Sequence, residues 1–158
     1  MPQTFRAVAY VPPGEAGATF DHAVLPHDER RVRRRLLTLS EGDQVLVDFP
    51  EPVTLADGSA LRLEDGRLAG IVAAEERLYE VRGRDQVHLM RLSWHLGNRH
   101  LKTEVADGGS RILILRDHVI GDMLLGLGAT VREVVEPFHP EEGAYAHSHE
   151  PAHALLNR

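Results

Sequence analysis

The chain contains no cysteine. That absence removes disulfide frameworks and every thiolate metal site, so any metal must be held by imidazole, carboxylate, backbone oxygen or water. Three methionines could offer thioethers, but two of them fall in helix-like apolar patterns. Aromatic residues make up only 5 % of the chain, and none interleaves with the one dense basic run to stack a nucleic-acid base. Positive charge is in deficit: the net charge is −6, which disfavours bulk attraction to nucleic acid or to an anionic membrane. No apolar run approaches the roughly 20 residues that span a bilayer. Met1 to Tyr10 shows no charged segment followed by an apolar one, so no signal peptide is read. These absences point to a cytoplasmic protein without a membrane partner.

What is present in excess is histidine, ten residues in 158. Four of them fall between His139 and His153. Imidazole is a common ligand for nickel, zinc and copper. The hydrophobic fraction of 42 % and charged fraction of 27 % are ordinary for a globular protein. The length fits one medium domain or two small ones.

The first half reads as β-rich. Arg6 to Val11, Gln44 to Phe49, Ala60 to Leu63 and Leu68 to Ala73 are short apolar runs. Turn chemistry separates them at Ser40 to Asp43, Pro50 to Pro52, Ala56 to Ser59 and Glu64 to Gly66. That punctuation fits a small all-β sandwich or barrel over residues 1–75. The second half, 76–138, changes period. Tyr79 to Arg82 reads as a strand. Asp85 is a candidate helix cap for a stripe containing Val87, Leu89, Met90, Leu92, Trp94 and Leu96, with Gly97 as terminator. Leu101 to Val105 and Ile112 to Leu115 read as strands joined through Asp107-Gly108-Gly109. Asp117 caps a second helix that Gly128 ends, and Val131 to Val135 gives a last strand. The order β-α-β-β-α-β is the ferredoxin-like pattern, so the fold class is α+β. Residues 139–158 turn polar and are expected to form a flexible histidine-containing tail.

Several residues carry possible chemistry. His100 follows Gly97 and stands between a helix and a strand; on residues alone, a lone histidine there reads as structural. His88 and His95 share a helix face but lie two turns apart, about 10 Å, too far to share an ion. Asp117 reads as a cap, and His118 could ligate from the same helix start. His147, His149 and His153 are closely spaced and read as metal-binding. The first domain has only His22 and His27, so it is expected to add little to metal affinity. Arg30-Arg31-Val32-Arg33-Arg34-Arg35 reads either as a docking site for an acidic partner or as a solvated strand face.

Other classes fit less well. An RNA-binding ferredoxin-like sheet stacks bases on strand aromatics, and Arg111 to Leu115 has none. A metallohydrolase needs a fixed three-ligand site and a positioned base, and no HExxH-like helix pair or nucleophile stands out.

The stretch Trp94-His95-Leu96-Gly97-Asn98-Arg99-His100 resembles the signature helix end of the UreE urease accessory proteins. Arg116-Asp117-His118-Val119 with Met123-Leu124 and Leu127-Gly128-Ala129 is similar to that family's second helix. Pro137-Phe138 and Gly143-Ala144-Tyr145 resemble its exit, and Leu25 to Arg30 with Gly42-Asp43 its N-terminal domain. The resemblance covers nearly the whole chain. It implies an N-terminal β domain that binds protein partners, and a ferredoxin-like domain that binds metal and forms a homodimer. It implies a metallochaperone rather than an enzyme, with Ni(II) as cargo delivered to the urease apoprotein alongside a GTPase and other accessory proteins. His100 is then the ligand at the dimer interface, with His147, His149 and His153 adding ligands and His118 a further candidate. Zn(II) or Cu(II) could occupy the same donors, which leaves a general divalent-metal buffer as the alternative.

Overall fold

The computed structural model describes residues 1–144. Two domains follow one another, each built on its own sheet. The first holds β1 (Thr4–Val11), β2 (Asp21–Leu25), β3 (Arg31–Thr38), β4 (Gln44–Thr54), β5 (Ala60–Leu63) and β6 (Leu68–Ala73). Their order is β2-β6-β5-β1-β4-β3. β1 runs parallel to β4 and β2 parallel to β6. The sheet curls until its ends approach, because the Ser40 amide beyond β3 donates to the His22 carbonyl on β2 at 2.9 Å. Alternate side chains, among them Ala23, Val45, Val47, Leu61 and Ile71, point inward to one core.

Alternation in the sequence marked β1, β4, β5 and β6. It did not mark β2, where Asp21 takes a buried position, or mark β3 with certainty. On β3, Val32 and Leu37 turn inward while Arg31, Arg33 and Arg34 stay exposed. The basic run is thus largely the outer face of an edge strand, where charge opposes pairing with another chain. Arg30 is different: it precedes β3 and is buried. Pro50-Glu51-Pro52, expected as a turn, lies inside β4. Val32 faces Val53 while Arg34 faces Asp48. The prolines therefore fall in a bulged stretch where no ladder bond needs their missing N–H.

The second domain contains β7 (Glu75–Arg82), α1 (Gln86–Asn98), β8 (Glu104–Ala106), β9 (Arg111–Leu115), α2 (His118–Gly126) and β10 (Thr130–Pro137). The strands are antiparallel in the order β10-β7-β9-β8, which is the ferredoxin-like arrangement expected from the element order. Asp85 accepts from the His88 amide at 2.8 Å and Asp117 from the Ile120 amide at 3.1 Å. Both expected caps are therefore present. A side chain at Gly83 would put its Cβ 2.7 Å from the Leu89 nitrogen, so glycine lets the first turn of α1 seat against the end of β7. Leu92 and Leu96 of α1 and Ile120 and Leu124 of α2 pack over Val81 and Ile112.

The opposite face of this sheet is covered at one end by Leu78, Leu113 and Phe138. At the other end it is ionic. Buried Glu80 accepts from Arg82, Arg111 and Arg132 at 2.9, 3.2 and 3.2 Å. Arg111 also grips Glu136 with two bonds of 2.8 Å. Burial pushes the Glu80 carboxyl up, but the surrounding guanidiniums outweigh it and hold the group below its ordinary value. Hydrogen bonding from Arg111 holds Glu136 down in the same sense. Among the described residues no helix is long and apolar enough to cross a membrane.

Candidate metal centre

Gly97 does not end α1 as its composition suggests. The helix continues to Asn98, Arg99 is the C-cap, and the next residue, His100, takes φ 58°. The His100 amide donates to the Gly97 carbonyl at 3.0 Å and the Leu101 amide to the Leu96 carbonyl at 3.2 Å. This pair of bonds is the Schellman closure, whose left-handed position usually holds glycine. Among the described residues only His100 and Asp107 adopt positive φ without being glycine. A side chain in that region costs on the order of 1 kcal/mol, and residues held there cluster at functional sites. The consequence is geometric: the Cα–Cβ bond of His100 leaves a fixed helix end and not a free loop.

The imidazole of His100 is exposed. It lines a cavity of about 380 Å³ together with Leu101, Lys102, Arg116, Asp117 and Ile120. The start of α2 therefore faces the end of α1 across this space. His118 is not part of its lining; its side chain is 89 % exposed and lies 3.4 Å from Asp122 one turn on. His147, His149 and His153 lie outside the described residues. Among the described residues, no group of three or more histidine or carboxylate side chains is placed to hold an ion. A closed site therefore needs donors beyond those of the described part of one chain.

The remaining histidines have other occupations. His88 is buried, and its Nδ1 accepts from the Arg84 amide at 2.9 Å. Its proton is therefore on Nε2, which donates to the Leu127 carbonyl at 2.8 Å. Both ring nitrogens are used, and His88 is a structural tie between α1 and the end of α2. His95 sits edge-on to Trp94 at 5.1 Å. His22 bonds to Ser40 at 2.9 Å. His27 holds Glu76 through its ring at 2.7 Å and through its amide at 2.9 Å, which joins the first domain to β7.

Two further features bear on the site. Val87, Met90 and Trp94 are all more than half exposed, Trp94 at 64 %. At 3.6 residues per turn they form a stripe on the side of α1 opposite Leu89, Leu92 and Leu96. Reading all six as one broad core stripe missed this second apolar face, although the spacing contains it. The second feature is the chain exit. The His139 amide donates to Glu104 Oε1 at 2.7 Å and the Glu141 amide to the Thr103 carbonyl at 2.8 Å. The last described residues thus run beside the segment that leads away from His100.

Comparison with known proteins places both halves of the chain. Residues 7–74 match the model of the UreE urease accessory protein N-terminal domain, and residues 76–156 match that of the C-terminal domain. A urease accessory protein UreE of Mesorhizobium japonicum is 58 % identical over 147 residues, covering 92 % of this chain and 74 % of the relative. The corresponding protein of Sinorhizobium fredii is 54 % identical over 142 residues, 89 % of this chain and 88 % of its own. Urease accessory protein UreE 1 of Brucella suis biovar 1 is 50 % identical over 148 residues, 92 % of this chain and 90 % of its own.

Proposed function

The chain belongs to the family of UreE urease accessory proteins, and on that premise we propose that it carries Ni(II) to the urease apoprotein on a site centred on His100. The observation that carries this reading is the left-handed backbone of His100 at the end of α1. A histidine kept where glycine would be easier is best explained by what its imidazole does.

One imidazole holds nickel weakly. A two-fold dimer presents the same residue twice, so two His100 side chains can meet at the axis. The apolar stripe of Val87, Met90 and Trp94 lies on the helix that ends in His100. It supplies the kind of surface such a dimer would cover. Nickel(II) accepts nitrogen and oxygen donors, and the histidines beyond Glu141 can fill further positions. His147 follows Glu141 by six residues, a reach of up to roughly 20 Å from a point already beside the His100 segment. His118, exposed and turned towards Asp122, would at most form a separate, weaker site. Zinc or copper would occupy the same donors in vitro.

On this reading residues 76–138 bind metal and dimerise, 1–75 meet the other accessory proteins, including a GTPase, and 139–158 complete the metal site. A site assembled from separate pieces can also be taken apart, which suits a carrier in the cytoplasm rather than an enzyme. The test is activation of apo-urease by the nickel-loaded protein in the presence of a chelator that removes free nickel. The wild-type chain should activate and His100→Gly should not. Equal activation by both would refute the role given to His100.

A further inference from the structure

Lys102 is the only lysine among the 18 lysines and arginines of the chain, and it stands two residues after His100. Chain geometry alone keeps their Cα atoms within about 7 Å of each other. Both side chains line the cavity of about 380 Å³ between the end of α1 and the start of α2. Lys102 is exposed, and among the described residues its ammonium makes no hydrogen bond or ion pair.

The other charges of that cavity are committed. Arg116 donates to the Leu78 carbonyl at 3.1 Å and to the Val134 carbonyl at 3.0 Å, and it lies 3.4 Å from Glu133. Asp117, the single carboxylate of the lining among the described residues, caps α2. The uncommitted charge beside His100 is therefore positive. A charged ammonium has donors but no lone pair, so it cannot ligate an ion. Towards a divalent cation on His100 it can only repel.

The choice of lysine fits this role. Arg111, by contrast, is fixed on Glu136 by two bonds. An ammonium on a four-carbon stem is a compact and mobile charge without a fork to anchor it. Lys102 also borders a second cavity, of about 540 Å³, where Asp28, Asp57, Glu141 and Glu142 stand with Arg30 and Arg31. Its charge can thus turn towards carboxylates on one side and towards His100 on the other.

We propose that Lys102 sets the release side of nickel transfer: its charge weakens the hold of His100 on Ni(II), so that the ion passes more readily to an acceptor. This rests on the reading above that His100 anchors the nickel, and it uses no other ligand. One charge facing a dication across about 10 Å of water weakens binding by roughly fourfold before screening. A two-fold dimer places the same charge on both sides of the ion and enlarges the effect.

The experiment is nickel titration of full-length wild type, Lys102→Leu, Lys102→Arg and His100→Gly, with the release rate to excess chelator measured after loading. Leucine removes the charge and offers nickel no donor atom, and arginine restores the charge. Circular dichroism verifies the fold. Lys102→Leu should bind nickel about five- to tenfold tighter than wild type at low salt and release it more slowly. Lys102→Arg should match wild type. The difference should shrink between about 10 mM and about 1 M salt, as the screening length falls from about 30 Å to about 3 Å. Equal or weaker binding by Lys102→Leu at low salt would overturn the proposal. So would a tightening that salt leaves unchanged or that Lys102→Arg shares, since that would be an effect of packing. If His100→Gly binds nickel as wild type does, the His100 reading fails and this inference fails with it. If His100→Gly loses the site while the Lys102 variants show no charge effect, this inference alone fails.

Discussion

His100 and Gly128 occupy equivalent positions at the ends of the two helices. Each is the residue after the C-cap, with φ of 58° and 84°, and each donates its amide three residues back, to Gly97 and Leu125 respectively. The residue that follows each, Leu101 or Ala129, closes the outer bond to Leu96 or Leu124. The backbone requirement is the same at both ends. α2 meets it with the residue that costs least, and α1 meets it with a histidine.

That difference predicts an unusual stability result. His100→Gly should leave the metal-free protein as stable as wild type or more so, by up to about 1 kcal/mol. Gly128→Ala should lose about 1 kcal/mol or more, since its new Cβ would meet Arg84 Nη1 at 3.3 Å in a left-handed backbone. Urea unfolding read as a shift in midpoint at constant slope separates the two. A clear loss of stability in His100→Gly would mean that its side chain serves packing.

The helices, their caps and the sheet order of the second domain were legible because their signals are local. Asp85, Asp117 and Gly128 stand at the element ends they define. The true end of α1 was not legible, because Gly97 is a strong stop signal that the chain ignores, and nothing in composition moves the left-handed residue to His100. In the first domain β2 and β3 were obscured by Asp21 and by the arginines, whose charge hides the inward Val32 and Leu37. The burial of Arg30 had no local signal at all. It depends on a contact with Phe138 and His139, more than a hundred residues away.

The exposed stripe on α1 gives a prediction about assembly. Trp94→Glu should abolish the proposed dimer and leave a monomer with an unchanged helical signal, because the residue lies on the face of α1 opposite its core contacts. Light scattering with circular dichroism reads both. A dimer that persists at micromolar concentration would place the interface elsewhere.

Acid stability should depend on the ionic face of the second sheet. The carboxyls of Glu80 and Glu136 are held below their ordinary values in the folded chain. Their contribution is complete above the unfolded glutamate value, about 4.3, and is lost as pH falls through the lower folded values. Glu80→Gln should therefore be less stable than wild type at neutral pH and should lose less stability between about pH 5 and pH 3. Thermal unfolding across that range measures the slope. Parallel profiles for the two proteins would remove Glu80 from the account.

The central claim is that His100 is the metal anchor, and nickel titration of His100→Gly against wild type tests it most directly. Glycine keeps the helix end and removes only the imidazole, so a change in binding cannot be blamed on the fold. Wild type should bind one tight nickel ion per pair of chains, and His100→Gly should lack that site while retaining at most weak binding. Tight binding preserved in His100→Gly, at the same stoichiometry, would contradict the account.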